Sequence, residues 1–331
     1  MHKLQLIAFI AAAFCGTISA QENSRAMSAG AAVRQADEKS RPAIEKSLDP
    51  APFRTPAPES DSLEAEAERA EEKIRVDVGG GFSVSRWEMF IIATDVAGDE
   101  ADRLSRKVLA PCALALRRQF FTSAPPKPVA VYAFRDAQSY EYNLSRLFKE
   151  KPISPYGHYS YASRRIIFNH HTGLGTMSHE LVHALMDADM PSAPIWIAEG
   201  MASLYEQCSL DNQRISGLVN WRLPELQQKI DTADNIPMAA LLAADDAAFK
   251  LANESLHYAQ ARYFCLYLEQ KGLLSEVYKK FRDGYTRDAT GKIFIEESFG
   301  QSIDKVEEDF KAWVKSLAVL PSVSTAASTG K

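Results

Sequence analysis

The stretch that decides the fold is His179-Glu180-Leu181-Val182-His183, which has the pattern HExxH. In an α-helix, residues four apart lie one above the other on the same face. His179 and His183 would therefore direct two imidazoles toward one point, with Glu180 beside the first of them. The spacing predicts a helix that carries paired imidazoles and a neighbouring carboxylate.

The flanking residues predict that this helix belongs to the core. Apolar side chains recur along it at helical spacing, namely Leu174, Met177, Leu181, Val182, Leu185 and Met186. Two imidazoles on a buried helix need polar partners, because a buried polar group without one is costly. A Zn2+ ion is the partner for which this spacing is suited, with Glu180 as the general base. The alternative is a helix with two ordinary histidines.

The segment before the helix predicts a small mixed sheet with helices between its strands. The predicted elements are strands over Trp87–Val96 and Pro128–Phe134, helices over Asp99–Phe121 (kinked at Pro111) and Asp136–Phe148, and a strand pair at Tyr159–Tyr161 and Arg165–Phe168. We expect Ile166–Phe168 to form the edge of the sheet above the cleft, where an extended peptide can add as a strand. His158, His170 and His171 are expected to be surface or hydrogen-bonded histidines; the alternative is that His170 and His171 approach the site, although their spacing gives no ligand geometry.

A catalytic zinc site needs a third protein ligand, and two carboxylates compete for that role. Asp189 lies six residues after His183, where the metzincin pattern places its third ligand, but that pattern has a glycine, which lets the chain leave the helix sharply, where this chain has Met186. Glu199 lies in Ser192–Glu206, which reads as a new and mostly apolar helix with Pro194 in its first turn. A carboxylate on a buried helix needs a counter-charge or a metal. Glu199 is therefore the preferred ligand, and pairing with an arginine is its alternative.

HELVH followed by PIWIAEGMASLYE resembles the gluzincin metallopeptidases, specifically the peptidase MA-like families. In those proteins a Trp-x-x-Glu-Gly segment supplies the glutamate ligand, and Trp196, Glu199 and Gly200 match it. The gap of 15 residues between His183 and Glu199 is shorter than in the thermolysin-like members. The resemblance covers residues 83–318 and is most specific at these two motifs.

The resemblance implies a zincin-like α+β fold, in which an α/β subdomain (83–189) precedes an all-helical subdomain (190–318). It also implies that a Tyr or His from a C-terminal helix stabilises the oxyanion. Tyr258 is the first choice for that role and His257 the second, while a packed core tyrosine is the alternative. The implied activity is zinc-dependent hydrolysis of peptide bonds in a peptide or protein substrate.

The ends of the chain predict export and little structure. Residues 1–20 have the pattern of a cleaved signal peptide, with an apolar run of 11 residues that is too short to span a bilayer. A secreted or periplasmic location follows; a lipid anchor at Cys15 is disfavoured because Ala13-Phe14 does not match a lipobox. Residues 21–75 are predicted to be a disordered linker or propeptide-like segment, with at most a solvated helix lacking an apolar face. Residues 319–331 are predicted to be a disordered tail.

Charge and cysteine content set the remaining expectations. Removal of the signal leaves 37 basic and 43 acidic residues, a net charge of −6, which gives no footprint for nucleic acid. No membrane span is expected in the mature chain. Export permits a disulfide, and Cys208–Cys265 would join the Glu199 and Tyr258 helices; buried free thiols are the alternative. A non-catalytic envelope binding protein and a hydrolase of cell-wall amides are the alternative functions.

Overall fold

The computed structural model describes residues 60–318 except 153, 212 and 252. The first half contains α1 (Ser60–Val78), β1 (Ser83–Trp87), β2 (Phe90–Thr94), α2 (Glu100–Asp102, π-helical Arg103–Leu109, then Ala110–Gln119), β3 (Val129–Phe134), α3 (Ala137–Asn143, then π-helical Leu144–Phe148), β4 (Gly157–Ser160), β5 (Arg165–Asn169) and α4 (Gly175–Asp189). The second half contains α5 (Ile195–Tyr205), β6 (Cys208–Asp211), β7 (Arg214–Gly217), α6 (Leu223–Asp231), α7 (Met238–Ala243), α8 (Asp246–Leu251), α9 (Glu254–Gln270), α10 (Leu274–Gly284), α11 (Lys292–Phe299) and α12 (Ile303–Ser316). The predicted α+β class is confirmed.

The five-stranded sheet has the order β1-β2-β3-β5-β4, with β2, β3 and β5 parallel and the two outer strands antiparallel to their neighbours. The prediction that Ile166–Phe168 forms the edge is wrong, because β5 pairs with β3 on one side and β4 on the other. On this side of the described sheet, the edge strand is Gly157–Ser160. A short antiparallel hairpin gives no sequence signal for which of its strands will pair with the rest of the sheet.

Both faces of the sheet are covered, and alternate residues of each strand enter different cores. Ile92, Val131 and Ile166 face the core that contains α4, whereas Ile91, Tyr132 and Ile167 face a second core under α1. A strand buried on both faces reads as a continuous apolar run. This explains why Phe90–Thr94 and Val129–Phe134 were recognisable as strands from the sequence.

The segment 21–75 was predicted to be a disordered linker or propeptide-like segment, and helix α1 corrects this for the part that begins at Ser60. Residues Ser60–Val78 form a helix whose apolar side chains Ala67, Ile74 and Val78 are buried against the sheet. The apolar positions are widely spaced among charged residues, so their stripe was too narrow to recognise. The exposed flank is bound to β1 by an ion pair from Arg86 to Glu64 at 2.6 Å. The helix therefore belongs to the folded domain. The rest of the predicted linker, the signal peptide 1–20 with Cys15, and the tail 319–331 lie outside the described residues.

The region after residue 190 is not all helical, which corrects the second prediction of architecture. Cys208–Asp211 and Arg214–Gly217 form an antiparallel hairpin. Gln213, with a φ of 66°, lies at its turn, and Gln119 of α2 holds the second strand by hydrogen bonds to the backbone N–H and carbonyl of Ile215. Four-residue strands stabilised by a distant side chain leave only a weak local pattern in the sequence.

Three smaller predictions concern a strand, a kink and a disulfide. The predicted single strand Trp87–Val96 is divided between two strands, because the chain turns at Glu88 (φ 48°). Trp87 ends β1, and the following residues from Phe90 form β2, which pairs with β1 as a hairpin. The helix is not broken at Pro111, because a π-helical segment, Arg103–Leu109, leads directly into Ala110–Gln119, and a kink at this proline stays a prediction. Cys112, Cys208 and Cys265 are free thiols, so the predicted Cys208–Cys265 disulfide is not formed. Among the described residues, no helix is long and apolar enough to cross a membrane.

Candidate metal centre

Helix α4 brings the two imidazoles of HExxH together, as the spacing predicts. His179 and His183 are buried, and their Nε2 atoms lie 3.1 Å apart. Helix α5 adds the carboxylate of Glu199, whose Oε2 lies 3.4 Å from His179 Nε2 and 3.6 Å from His183 Nε2. Three electron-pair donors from two helices thus form a nearly equilateral triangle.

The size of this triangle is suited to a zinc ion. In a tetrahedral site with bonds of 2.0–2.1 Å, neighbouring ligand atoms are about 3.3 Å apart. The three observed separations, 3.1, 3.4 and 3.6 Å, bracket that value. Two imidazoles and one carboxylate are also the ligand types found in catalytic zinc sites. The donor set and its spacing therefore fit this metal.

Glu180 lies at the same centre. It is buried, with 3% of its surface exposed, and it offers an oxygen within 4.8 Å of nitrogen atoms of both His179 and His183. Two carboxylates therefore adjoin the imidazole pair. Glu199 reaches the imidazole pair from a separate helix, whereas Glu180 neighbours His179 in the chain.

Glycine at position 200 explains how α5 reaches the site. A Cβ at Gly200 would lie 2.7 Å from Cys265 Sγ and 2.8 Å from the carbonyl oxygen of Ala261 on α9. Contacts this short are not tolerated when the neighbour is backbone, so α5 can approach α9 closely only because residue 200 has no side chain. The preceding residue, Glu199, is held in place by that packing. The indole of Trp196 fixes the other side of α5 by donating to the Thr290 carbonyl at 2.9 Å.

The outer nitrogen of each imidazole also has a partner. His179 Nδ1 lies 2.9 Å from Oε1 of Glu206, and His183 Nδ1 lies 3.4 Å from the hydroxyl of Tyr161. A carboxylate oxygen accepts, so Nδ1 of His179 is the donor and the lone pair of the neutral ring is on Nε2. In its neutral form, the ring of His179 is therefore oriented with the Nε2 lone pair available to a metal ion.

Glu206 is kept ionised by its surroundings. Burial by itself would raise its pKa, but the hydrogen bond from His179 and the positive charge of Arg222 outweigh burial and hold the pKa below the usual value. Arg222 Nη2 lies 3.8 Å from Glu206 Oε2, and the charge of the buried Arg262 acts in the same direction. A stable negative charge therefore lies behind His179.

Asp189, the competing third ligand, is used elsewhere. Its Oδ1 accepts hydrogen bonds from the Thr122 amide at 2.8 Å and the Ser123 amide at 2.8 Å. Its Oδ2 accepts from Tyr278 at 3.0 Å and from Arg282 at 3.1 Å. This carboxylate joins the end of α4 to α10 and to the segment after α2, which is a structural role.

The two candidates for oxyanion stabilisation lie on α9. Tyr258 is buried, with its ring 5.3 Å from that of Phe249 and 5.5 Å from the guanidinium of Arg222. His257 packs on Phe249 at 4.9 Å, and its Nδ1 lies 3.3 Å from the Asn253 carbonyl. Tyr258 thus adjoins the Arg222 side chain that faces Glu206, and its role in chemistry stays a prediction.

Sequence reasoning missed Glu206, Arg222 and Tyr161. Glu206 had a usable signal, since it follows Glu199 by seven residues and two helical turns place both on one face. Tyr161 and Arg222 reach the centre from a loop after β4 and from the turn before α6. No periodic pattern connects such positions to the HExxH helix.

The other histidines among the described residues are not part of the triangle. His158 is buried on the edge strand β4. His170 Nε2 lies 2.7 Å from Glu100 Oε1, so it has a carboxylate partner on α2. His171 follows it in a short 3-10 helix, and its backbone amide donates a hydrogen bond to the side chain of Asn169, which caps that helix. The expectation of hydrogen-bonded histidines is confirmed for His170.

A scan of the chain against models of known protein families gives no match. A search of curated proteins gives no match either. The functional assignment therefore depends on the geometry of the site and on the two short motifs.

Proposed function

We propose that this chain is a zinc-dependent metallopeptidase of the gluzincin type with a zincin-like fold. The observation that carries the proposal is the triangle of His179 Nε2, His183 Nε2 and Glu199 Oε2, with sides of 3.1, 3.4 and 3.6 Å. Its atoms come from two helices whose motifs, HExxH and Trp-x-x-Glu-Gly, resemble those of gluzincins. His179, His183 and Glu199 would hold the ion.

Each protein group has a defined part in hydrolysis. When bound, zinc would act as a Lewis acid that polarises the substrate carbonyl and brings the pKa of water near neutrality. Glu180 would take a proton from the attacking water and return it to the leaving amine. Tyr258, or in its place His257, would donate a hydrogen bond to the developing oxyanion.

Strand β4 connects the sheet to the metal centre. Gly157–Ser160 pairs with β5 on one side in the described sheet, and all four residues are buried. Tyr161 follows this strand directly, and its hydroxyl lies 3.4 Å from Nδ1 of His183. A signal peptide at 1–20 would place the enzyme outside the cytoplasm.

The test combines metal analysis with a digest. Purified protein is analysed for bound metals and then incubated with a peptide library, with and without a chelator. One zinc per chain and cleavage that stops on chelation and returns with zinc are expected. Zinc without cleavage would instead identify a non-catalytic binding protein on this scaffold. Cleavage that is unchanged by removal of the metal would contradict the proposal.

A further inference from the structure

We infer that Glu206 is a positioning residue that fixes the imidazole of His179 for metal binding. This inference depends on the proposed function, because it assigns Glu206 a part in the same site. Glu206 lies just past the end of α5, and its Oε1 is 2.9 Å from His179 Nδ1. A hydrogen bond at that atom selects the Nδ1–H tautomer and leaves Nε2 to the metal.

The geometry assigns the two oxygens of Glu206 to different partners. Oε1 accepts from His179, while Oε2 faces the Nη2 of Arg222 at 3.8 Å. The shorter contact is with the imidazole, and Arg222 is itself buried beside Tyr258. The arginine therefore holds the carboxylate from behind while the carboxylate holds the ring. A simple Arg–Glu ion pair would place the shortest contact on the arginine.

The backbone of Glu206 is fixed to the same helix that carries His179. A Cβ at Gly175 would lie 2.8 Å from the carbonyl oxygen of Glu206, so the first turn of α4 packs directly on this residue. His179 follows Gly175 by one helical turn. The carboxylate and the imidazole are thus held at one distance by backbone packing, which is the property that a preorganised metal site needs.

A second buried carboxylate nearby provides a matched control. Glu269 of α9 accepts from the Tyr205 hydroxyl at 2.9 Å and from the Gly217 amide at 2.8 Å. It joins the end of α5 to the hairpin β6–β7 and has hydrogen bonds of similar length. Within the described part of the chain, neither of these partners is a histidine of the metal centre. Loss of its charge should affect stability and leave metal binding unchanged.

The experiment measures zinc affinity by competition with a chromogenic chelator for the full-length protein and its Glu206→Gln, Glu206→Ala and Glu269→Gln variants. Loss of an outer carboxylate is expected to weaken metal binding by about 10- to 100-fold. We expect Glu206→Ala to lie at the upper end and Glu206→Gln, whose amide oxygen can still accept from Nδ1–H, at the lower end. Glu269→Gln should bind zinc as the wild type does. Thermal unfolding in excess chelator reports the stability of each metal-free chain.

The outcomes separate this inference from the proposed function. If wild-type protein binds no zinc, the proposed function fails. If wild type binds zinc and Glu206→Gln binds it within twofold of the same affinity, the positioning role is overturned. A loss of affinity that Glu269→Gln shares to the same extent would also overturn it, because the effect would then be a general one of stability. The Gln variant keeps the test valid if Glu206→Ala does not fold.

Discussion

Two carboxylates follow the HExxH motif, Asp189 at the end of α4 and Glu199 on α5, and their surroundings are opposite. Asp189 is surrounded by protein donors, among them the amides of Thr122 and Ser123 at 2.8 Å and the guanidinium of Arg282 at 3.1 Å. Glu199 Oε2 instead faces the Nε2 atoms of His179 and His183 at 3.4 and 3.6 Å. The charge of Asp189 is therefore matched by donors of the protein, whereas Glu199 faces two imidazole nitrogens.

The difference shows how a structural carboxylate can be distinguished from a ligand. At Asp189 the charge is matched by hydrogen-bond donors, so the cluster is complete without any other group. At Glu199 the neighbours are two imidazole nitrogens, and three potential ligand atoms lie within 3.1–3.6 Å of one another. Such a convergence is suited to a cation. The two sites should therefore respond in opposite ways to mutation.

The largest expected effect is on turnover, from substitution of Glu180, the proposed general base. Glu180→Gln removes the basic oxygen but keeps the shape, so turnover should fall by about 100- to 10,000-fold while zinc remains bound. Steady-state cleavage of a fluorogenic peptide and metal analysis of the same sample test this. Full activity in this variant would show that Glu180 is not the base.

Glu199→Gln should weaken zinc binding by more than about 100-fold, which exceeds the effect typical of an outer carboxylate, because a direct ligand loses its charge. Chelator competition measures the affinity. Asp189→Asn is the matched control and should bind zinc as the wild type does. If Asp189→Asn lost the metal and Glu199→Gln kept it, the assignment of the two carboxylates would be reversed.

Asp189→Asn should lower the free energy of unfolding of the metal-free protein by about 2–3 kcal/mol, since Arg282 and two backbone amides lose a charged acceptor. Chemical denaturation in excess chelator measures this. Thr232→Ala is the control: it removes a hydroxyl that donates an exposed hydrogen bond to Asp234, and it should have little effect on stability. Equal stability of the two variants would show that the Asp189 cluster does not stabilise the fold.

Gly200→Ala should destabilise the fold by about 1–3 kcal/mol and also weaken zinc binding, because the new methyl group meets the backbone of α9 and displaces Glu199. Gly80→Ala, at a position with no neighbour within 4 Å, is the control. Thermal unfolding and chelator competition report the two effects. Normal packing and affinity in Gly200→Ala would show that the close approach of α5 and α9 is not needed.

The smallest expected effect is the loss, at acidic pH, of the contribution that Asp189 makes to the free energy of unfolding. Burial opposes the charge of Asp189, but hydrogen bonds from Ser123, Arg282 and Thr122 outweigh it and lower the pKa below its ordinary value of 3.8. The stability that Asp189 supplies is thus fully present above pH 3.8 and is lost as the pH falls through the lower, native value. The difference in unfolding free energy between wild type and Asp189→Asn should shrink on acidification below pH 3.8. A difference that stayed constant would contradict this linkage.

What the sequence could predict was local. The HExxH helix, the helix of Glu199 and the buried strands carry clear periodicity, and the pairing of His179 with His183 follows from helix geometry alone. The preference for Glu199 over Asp189 came from Met186, which does not favour the sharp exit that Asp189 would need.

The remaining features depend on contacts between distant segments. The order of β4 and β5 in the sheet is set by pairing with β3, to which the hairpin itself gives no clue. The burial of Ile74 and Val78 in α1 depends on a sheet that follows them in the chain. The hydrogen bond from His179 to Glu206 needs α4 and α5 to be packed first. Single-chain periodicity does not contain this information.

The most direct test of the account is anomalous diffraction at the zinc edge from crystals of the protein grown with zinc. The account predicts one strong peak about 2.0–2.2 Å from His179 Nε2, His183 Nε2 and a carboxylate oxygen of Glu199. A peak coordinated by other residues, or none at this triangle in zinc-saturated crystals, would contradict it.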